Sequence, residues 1–209
     1  MFAVTGITGK VGGAVARSLL DAGLSVRAVV REAAKGSPWA SRGCEVAIAD
    51  LDDVAPLAAA FTGVGGAFAM LPPIFDPTPG FPEAKAMIGT LHAALAEAAP
   101  PKLVVLSTVG ADATQPNLLN QLGLLERALA DLPIRITFLR PGWFMENAAV
   151  DIEAASEAGV RGATSCSSSR MHAAVVWAVA TRRWPVVAAR APSPTRRLVY
   201  RRSLIALSA

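Results

Sequence analysis

Short apolar runs alternate with amphipathic segments from the first residues onward, the pattern of repeated strand and helix units in a parallel sheet. Phe2–Thr5, Ser25–Val30, Glu45–Ala49, Gly66–Leu71, Leu103–Ser107 and Arg135–Leu139 read as strands. Gly66–Leu71 is apolar throughout, as a strand covered on both faces is. Val11, Val15, Leu19 and Leu20 recur near helical spacing, and Gly23 closes that segment as a glycine just past a helix does. Val54–Phe61, Phe81–Ala98 and Leu118–Leu132 read as further helices. The stretch around Ser37-Pro38-Trp39 is weakly patterned and receives no element. The run holding Pro72, Pro73, Pro77, Pro79 and Pro82 excludes regular structure. Six strands with intervening helices predict an α/β fold, a doubly wound parallel sheet in the order 3-2-1-4-5-6. No internal repeat at a solenoid period is present.

Between the first strand and the first helix stands Thr5-Gly6-Ile7-Thr8-Gly9-Lys10-Val11-Gly12, with glycines at three-residue spacing. In such a turn Gly6 takes the tight bend and Gly9 lets backbone approach a pyrophosphate. Gly12 lets the helix pack close to the strand. The helix N-terminus then offers free N–H groups and a partial positive charge to phosphates. The context of strand before and helix after points to a dinucleotide site, with Gly6, Ile7, Thr8, Gly9, Lys10, Val11 and Gly12 as its candidate ligands; the alternative is a mere tight turn.

The second strand ends at Arg31, where a site specific for NAD usually carries an acid for the ribose hydroxyls. A guanidinium there forks onto a 2′-phosphate, so NADP(H) is expected in preference to NAD(H). Glu32 follows directly, and a slip of one residue would put a carboxylate at the ribose instead. Lys10 is either a further phosphate contact or a solvated surface lysine. Asp50 and Leu51 end the third strand where a bound adenine would lie; Asp50 is also a candidate cap for the helix starting near Val54. Leu71 and Pro72 end the fourth strand beside the switch point, either bordering a nicotinamide ribose or simply terminating the strand.

Composition sets the limits. The chain has 209 residues, 53% hydrophobic and 17% charged, which excludes disorder over most of its length and fits a single domain with or without a small appendage. The start lacks a basic leader and no apolar run is long enough to span a bilayer, so the expected setting is cytoplasmic. Cys44 and Cys166 have no metal-ligand spacing and suggest neither a disulfide framework nor a metal site.

The glycine turn, Val29-Val30-Arg31, Leu71-Pro72-Pro73, Leu106-Ser107 and the run Leu139-Arg140-Pro141-Gly142-Trp143-Phe144-Met145-Glu146-Asn147 together resemble the NmrA-like branch of the atypical short-chain dehydrogenases. The resemblance covers about residues 1–155. It implies a Rossmann protein that binds NAD(P), in a family where some members reduce quinones or related carbonyls and others sense nicotinamide redox state without turnover. It implies that the turn and Arg31 hold the cofactor and that Ser107 sits close to the nicotinamide. Pro141, Gly142, Phe144 and Asn147 would lead into the substrate pocket. Ser107 is the candidate catalytic residue, by holding a substrate oxygen; the alternative is a serine bonded to local backbone.

In the wider superfamily a Tyr-x-x-x-Lys pair on the helix after the fifth strand supplies the proton, the lysine lowering the tyrosine's pKa. Asn117–Ala130 contains neither residue, and Tyr200 is the only tyrosine in the chain. A quinone is electrophilic and takes its proton from water, so the absence weighs against ordinary alcohol dehydrogenation more than against quinone reduction. The expected function is NADPH-dependent reduction of a quinone or similar small electrophile. The alternative is a non-catalytic NAD(P) sensor acting through a protein partner.

Charge divides the chain. Residues 1–157 carry 11 basic and 16 acidic groups, whereas residues 158–209 carry nine arginines and no acid. The expected organisation is a nucleotide-binding domain over 1–157 and an atypical arginine-rich segment over 158–209, an incomplete version of the family's substrate lobe. Three readings of that segment stay open. They are a change of translation frame in a GC-rich gene, a basic arm with Trp177, Trp184 and Tyr200 set among arginines for nucleic-acid contact, and a diverged but folded lobe. No recognised nucleic-acid module surrounds those residues.

Overall fold

The structure is a computed structural model and describes residues 1–142. Its elements, in chain order, are β1 (Phe2–Val4), α1 (Lys10–Asp21), β2 (Val26–Val30), α2 (Ala33–Ala40), β3 (Glu45–Ile48) and α3 (Val54–Phe61). They continue with β4 (Gly66–Ala69), α4 (Pro82–Ala98), β5 (Lys102–Leu106), α5 (Asn120–Leu129) and β6 (Arg135–Leu139). All six strands are parallel and lie in the order β3-β2-β1-β4-β5-β6, as the pattern of runs predicted. The observed strands and helices fall within a few residues of the expected ones; the expected boundary between 1–157 and 158–209 lies outside the described residues.

Side-chain alternation divides the core into two layers. Val4, Val26, Ala28, Val30, Phe68 and Val104 pack with Val15 and Leu19 of α1 and Trp39 of α2. Ala3, Val29, Ala67, Ala69, Leu103, Val105 and Phe138 pack with Leu57 of α3, Leu91 and Leu95 of α4, and Leu125 and Leu129 of α5. A sheet covered on both faces buries every position of its central strands, which is why β4 is apolar throughout rather than alternating.

One element was not expected. Ser37-Pro38-Trp39 lies inside α2, an eight-residue helix. Pro38 deletes one helical N–H, and only Gly36 and Trp39 of the helix are buried, so the apolar period barely registers. Tertiary packing supports it. Trp39 enters the core, and a Cβ at Gly36 would sit 2.5 Å from Cγ1 of Val46, so the helix rests directly on β3.

Arg27 secures the opposite layer. From β2 its Nη1 donates to the carbonyls of Ala60 and Thr62, both at 2.9 Å, closing the C-terminal end of α3, while Nε pairs with Glu45 at 2.6 Å. A cation there satisfies orphan carbonyls and the negative end of the helix dipole together.

Because every strand is parallel, all six carboxyl ends share one edge. β1 and β4 are neighbours at the sheet's centre, yet α1 packs on one layer and α4 on the other. The chain therefore diverges above that pair of strands and leaves a crevice, the position where open α/β sheets take their ligands.

Candidate cofactor site

The glycine turn occupies that crevice. Gly6 has φ +62°, a conformation that disfavours any side chain, and a Cβ there would lie 2.7 Å from Sδ of Met70. Met70 is held in place by Thr5, whose hydroxyl accepts from the Met70 N–H at 3.2 Å and donates to the Phe68 carbonyl at 3.4 Å, joining the ends of β1 and β4. A Cβ on Gly12 would fall 2.3 Å from the Gly6 oxygen. The start of α1 thus lies directly against the turn, as the third glycine of such a turn allows. Gly13, which the three-residue spacing does not single out, is also close, a Cβ there lying 3.0 Å from the Ile7 oxygen, although far less tight than Gly12.

The side chains of the turn divide the work. Ile7 is buried in the core, so only its backbone can face a ligand, whereas Thr8, Gly9 and Lys10 are exposed and Val11 is half-buried. Gly9 is the N-cap of α1; its N–H donates to Gly6 and its carbonyl accepts from Gly13, both at 2.9 Å. The first turn of α1 contains no acidic residue, and its N–H groups lie at the positive end of the helix dipole. That arrangement suits an anion of pyrophosphate size.

Arg31 is exposed at the carboxyl end of β2. Glu32 is the N-cap of α2 and accepts a 2.6 Å bond from Nζ of Lys35. The Lys35 hydrogen bond, and then its charge, hold the Glu32 carboxyl below the usual carboxylate range. Asp50 is half-buried after β3, and its Oδ1 accepts from the N–H of Leu51 at 2.7 Å. It does not cap α3, because Asp53 does so by accepting from Ala55 at 3.2 Å. The expectation of a cap was right in kind and misplaced by three residues: the cap must directly precede the first helical residue. Leu51 packs against the core, Leu71 is buried and Pro72 is exposed at the crevice's far side.

At the ends of β5 and β6 the structure assembles a charged cluster that the sequence did not announce. Ser107 is 3% exposed and donates its hydroxyl proton to Oε1 of Glu126 on α5. Arg140 grips the same carboxylate with two nitrogens, Nε to Oε1 at 2.8 Å and Nη2 to Oε2 at 2.6 Å, and reaches Asp112 with Nη1 at 2.8 Å. Its guanidinium lowers the pKa of Asp112. Glu126 is spaced three residues from both Gly123 and Leu129 on the buried stripe of α5, so a charge at a core position was the available signal. Pro141 is buried, its carbonyl accepting from Val109 at 2.9 Å, and Gly142 is exposed. Phe144 and Asn147 lie outside the described residues. A separate open groove of about 410 Å³ runs between α4 and α5, lined by Lys85, His92, Leu124 and Asp131, on the helical layer rather than at the glycine turn.

Over residues 6–182 the sequence matches the model of the NAD(P)H-binding family. The chain belongs to that family. The match agrees with the NmrA-like resemblance and continues past Glu157, into the arginine-rich segment. This NAD(P)H-binding chain is 32% identical to the NAD(P)H azoreductase of Xenophilus azovorans over 160 residues, which are 76% of this chain and 54% of that protein. It is 33% identical to quinone oxidoreductase 2 of Escherichia coli over 163 residues, 77% of this chain and 54% of that protein. The chain therefore spans about half the length of the curated relatives it matches. Among solved structures, the NADPH-dependent quinone oxidoreductase of Escherichia coli complexed with NADPH superposes with a TM-score of 0.66 at 30% identity, covering 76% of this chain and 55% of that one. A triphenylmethane reductase from Citrobacter sp. gives 0.65 at 26% identity, covering 76% and 55%. Among the described residues no helix is long and apolar enough to cross a membrane.

Proposed function

We propose that this chain holds NADPH in preference to NADH and acts in the reduction of a quinone or a similar flat electrophile, as its relatives' names suggest. One observation carries the reading: the glycine turn, with its acid-free helix start, lies at the switch point of the sheet while Arg31 stands exposed at the carboxyl end of the neighbouring strand β2. The N–H groups of Thr8, Lys10 and Val11 would hold the pyrophosphate, with Gly9 letting it approach closely, and Arg31 would hold the 2′-phosphate. Asp50 and Leu51 would border the adenine; Leu71, Pro72 and Ser107 would border the nicotinamide. Pro141, Gly142, Phe144 and Asn147 would line the substrate side.

When bound, NADPH supplies a hydride, and the quinone with one proton from water leaves as hydroquinone. The chain's residues then need only position and shelter the two partners. Ser107, whose proton points to Glu126, has acceptor capacity alone to offer a ligand. The reading goes with a cytoplasmic setting in which Cys44 and Cys166 stay reduced.

The same Ser107 contact supports a second reading, a nicotinamide sensor that signals through a protein partner without turnover, because Ser107 gives its proton to Glu126 and has none to give a substrate. Calorimetric titration of the chain with NADPH and NADH, followed by absorbance assays of NADPH consumption with a quinone, separates the readings. NADPH binding with quinone-dependent consumption supports the reductase. Binding without consumption supports the sensor, and binding of neither nucleotide overturns both.

A further inference from the structure

We infer that the ion pair between Glu32 and Lys35, rather than Arg31 alone, sets the preference for NADPH: Lys35 masks a carboxylate that would otherwise oppose the 2′-phosphate. The inference rests on the cofactor reading above and deepens it. Arg31 and Glu32 are consecutive, exposed, and placed between the last residue of β2 and the first of α2, so both stand at the ribose end of the site. Their charges have opposite consequences there. A carboxylate at the end of this strand accepts from ribose hydroxyls and repels a phosphate, favouring NADH on both counts.

The local geometry shows how the conflict is settled. Glu32 is the N-cap of α2 with extended backbone (φ −131°, ψ 135°), yet its side chain makes no capping hydrogen bond. It turns to Lys35 at 2.6 Å, while the Lys35 N–H donates to the Glu32 carbonyl at 3.0 Å and holds the two residues in one helical turn. Among the described residues Arg31 makes no salt bridge, although its charge adds to the larger effect of Lys35 on the Glu32 carboxylate, and its exposed guanidinium can reach a dianion. Lys35 is thus a positioning residue that acts through Glu32, and its importance depends on Glu32 being present.

That dependence supplies the test. The wild type, Lys35→Met, Glu32→Gln and the double variant are each titrated calorimetrically with NADPH and with NADH. Both side chains are exposed, so the fold should survive; unchanged circular dichroism and melting profiles verify this. Lys35→Met should lower the ratio of NADPH to NADH affinity by about fivefold, the upper range for an exposed ion pair, with part of the change appearing as tighter NADH binding. Lys35→Arg should keep the ratio, and the double variant should return to within about twofold of Glu32→Gln. An unchanged ratio in Lys35→Met would overturn the inference. So would a double variant as impaired as Lys35→Met, since Lys35 would then act on the phosphate directly. A wild type that binds neither nucleotide fails differently, by removing the cofactor reading itself.

Discussion

Arg140 lies across Glu126 in a two-nitrogen fork, 2.8 Å and 2.6 Å from its two oxygens, and thereby fastens the end of β6 to the middle of α5. Glu126 is 8% exposed at its side chain and Arg140 16%, so the pair is largely withdrawn from water. A carboxylate this deep requires full hydrogen bonding, and Ser107 and Arg140 provide it. The result braces three neighbours on the nicotinamide side of the proposed site: β5 through Ser107, β6 through Arg140, and the loop before α5 through Asp112.

Glu126→Ala should therefore cost about 3–5 kcal/mol, the usual penalty for removing one partner of a buried pair. Urea unfolding measures it, with Glu126→Gln expected to lose less because it keeps the shape and some hydrogen bonds. A loss under about 1 kcal/mol would mean that the pair behaves like a surface bridge.

Gly12→Ala should abolish nucleotide binding and destabilise the chain by about 1–3 kcal/mol, because its Cβ would sit 2.3 Å from the Gly6 oxygen and push α1 off the turn. Gly23→Ala is the control. Its φ of +74° makes a side chain costly, but nothing among the described residues lies within 4 Å, so stability should fall by about 1 kcal/mol and titration with NADPH should be unchanged.

Thr137 is 6% exposed, and its hydroxyl has no hydrogen-bond partner among the described residues. Thr137→Val keeps the shape and removes the stranded polar atom, so a gain of about 1 kcal/mol is expected. In calorimetric melting that appears as a rise of about 2–4 °C. A fall in Tm would show that the hydroxyl has a partner after all.

Stability should be flat near neutral pH and fall in acid. Glu32, Glu83 and Asp112 are held below the usual carboxylate range, chiefly by hydrogen bonds from Lys35, Thr78 and Arg140 respectively. A depressed folded pKa contributes stability above the unfolded value, and that contribution disappears as pH falls through the folded one. Melting temperature should thus decline from about pH 4 downward, with a shallower decline in Asp112→Asn. Equal slopes in the two proteins would remove Asp112 from the account.

Legibility followed burial on both faces. β4 and β5 are nearly continuous apolar runs, and the glycines of the turn are demanded by contacts to their own neighbours, so both announce themselves locally. α2 does not, because two buried residues and a proline leave no helical period. Glu126 stands out only as a charge on the buried stripe of α5, and its partner is set when the chain after β6 brings Arg140 to it from 14 residues away.

The amino-acid order by itself marked out the six strands and the glycine turn, because each rests on apolar period or on backbone sterics within a few residues, and the order across the sheet followed from the general rule for doubly wound folds. The tertiary structure alone decided that Asp53 and not Asp50 caps α3, that Lys35 occupies Glu32, and that Ser107 gives its proton to a buried carboxylate. Those are matters of which polar groups meet, and a hydrogen bond depends on distance and direction that the fold sets and spacing along the chain does not.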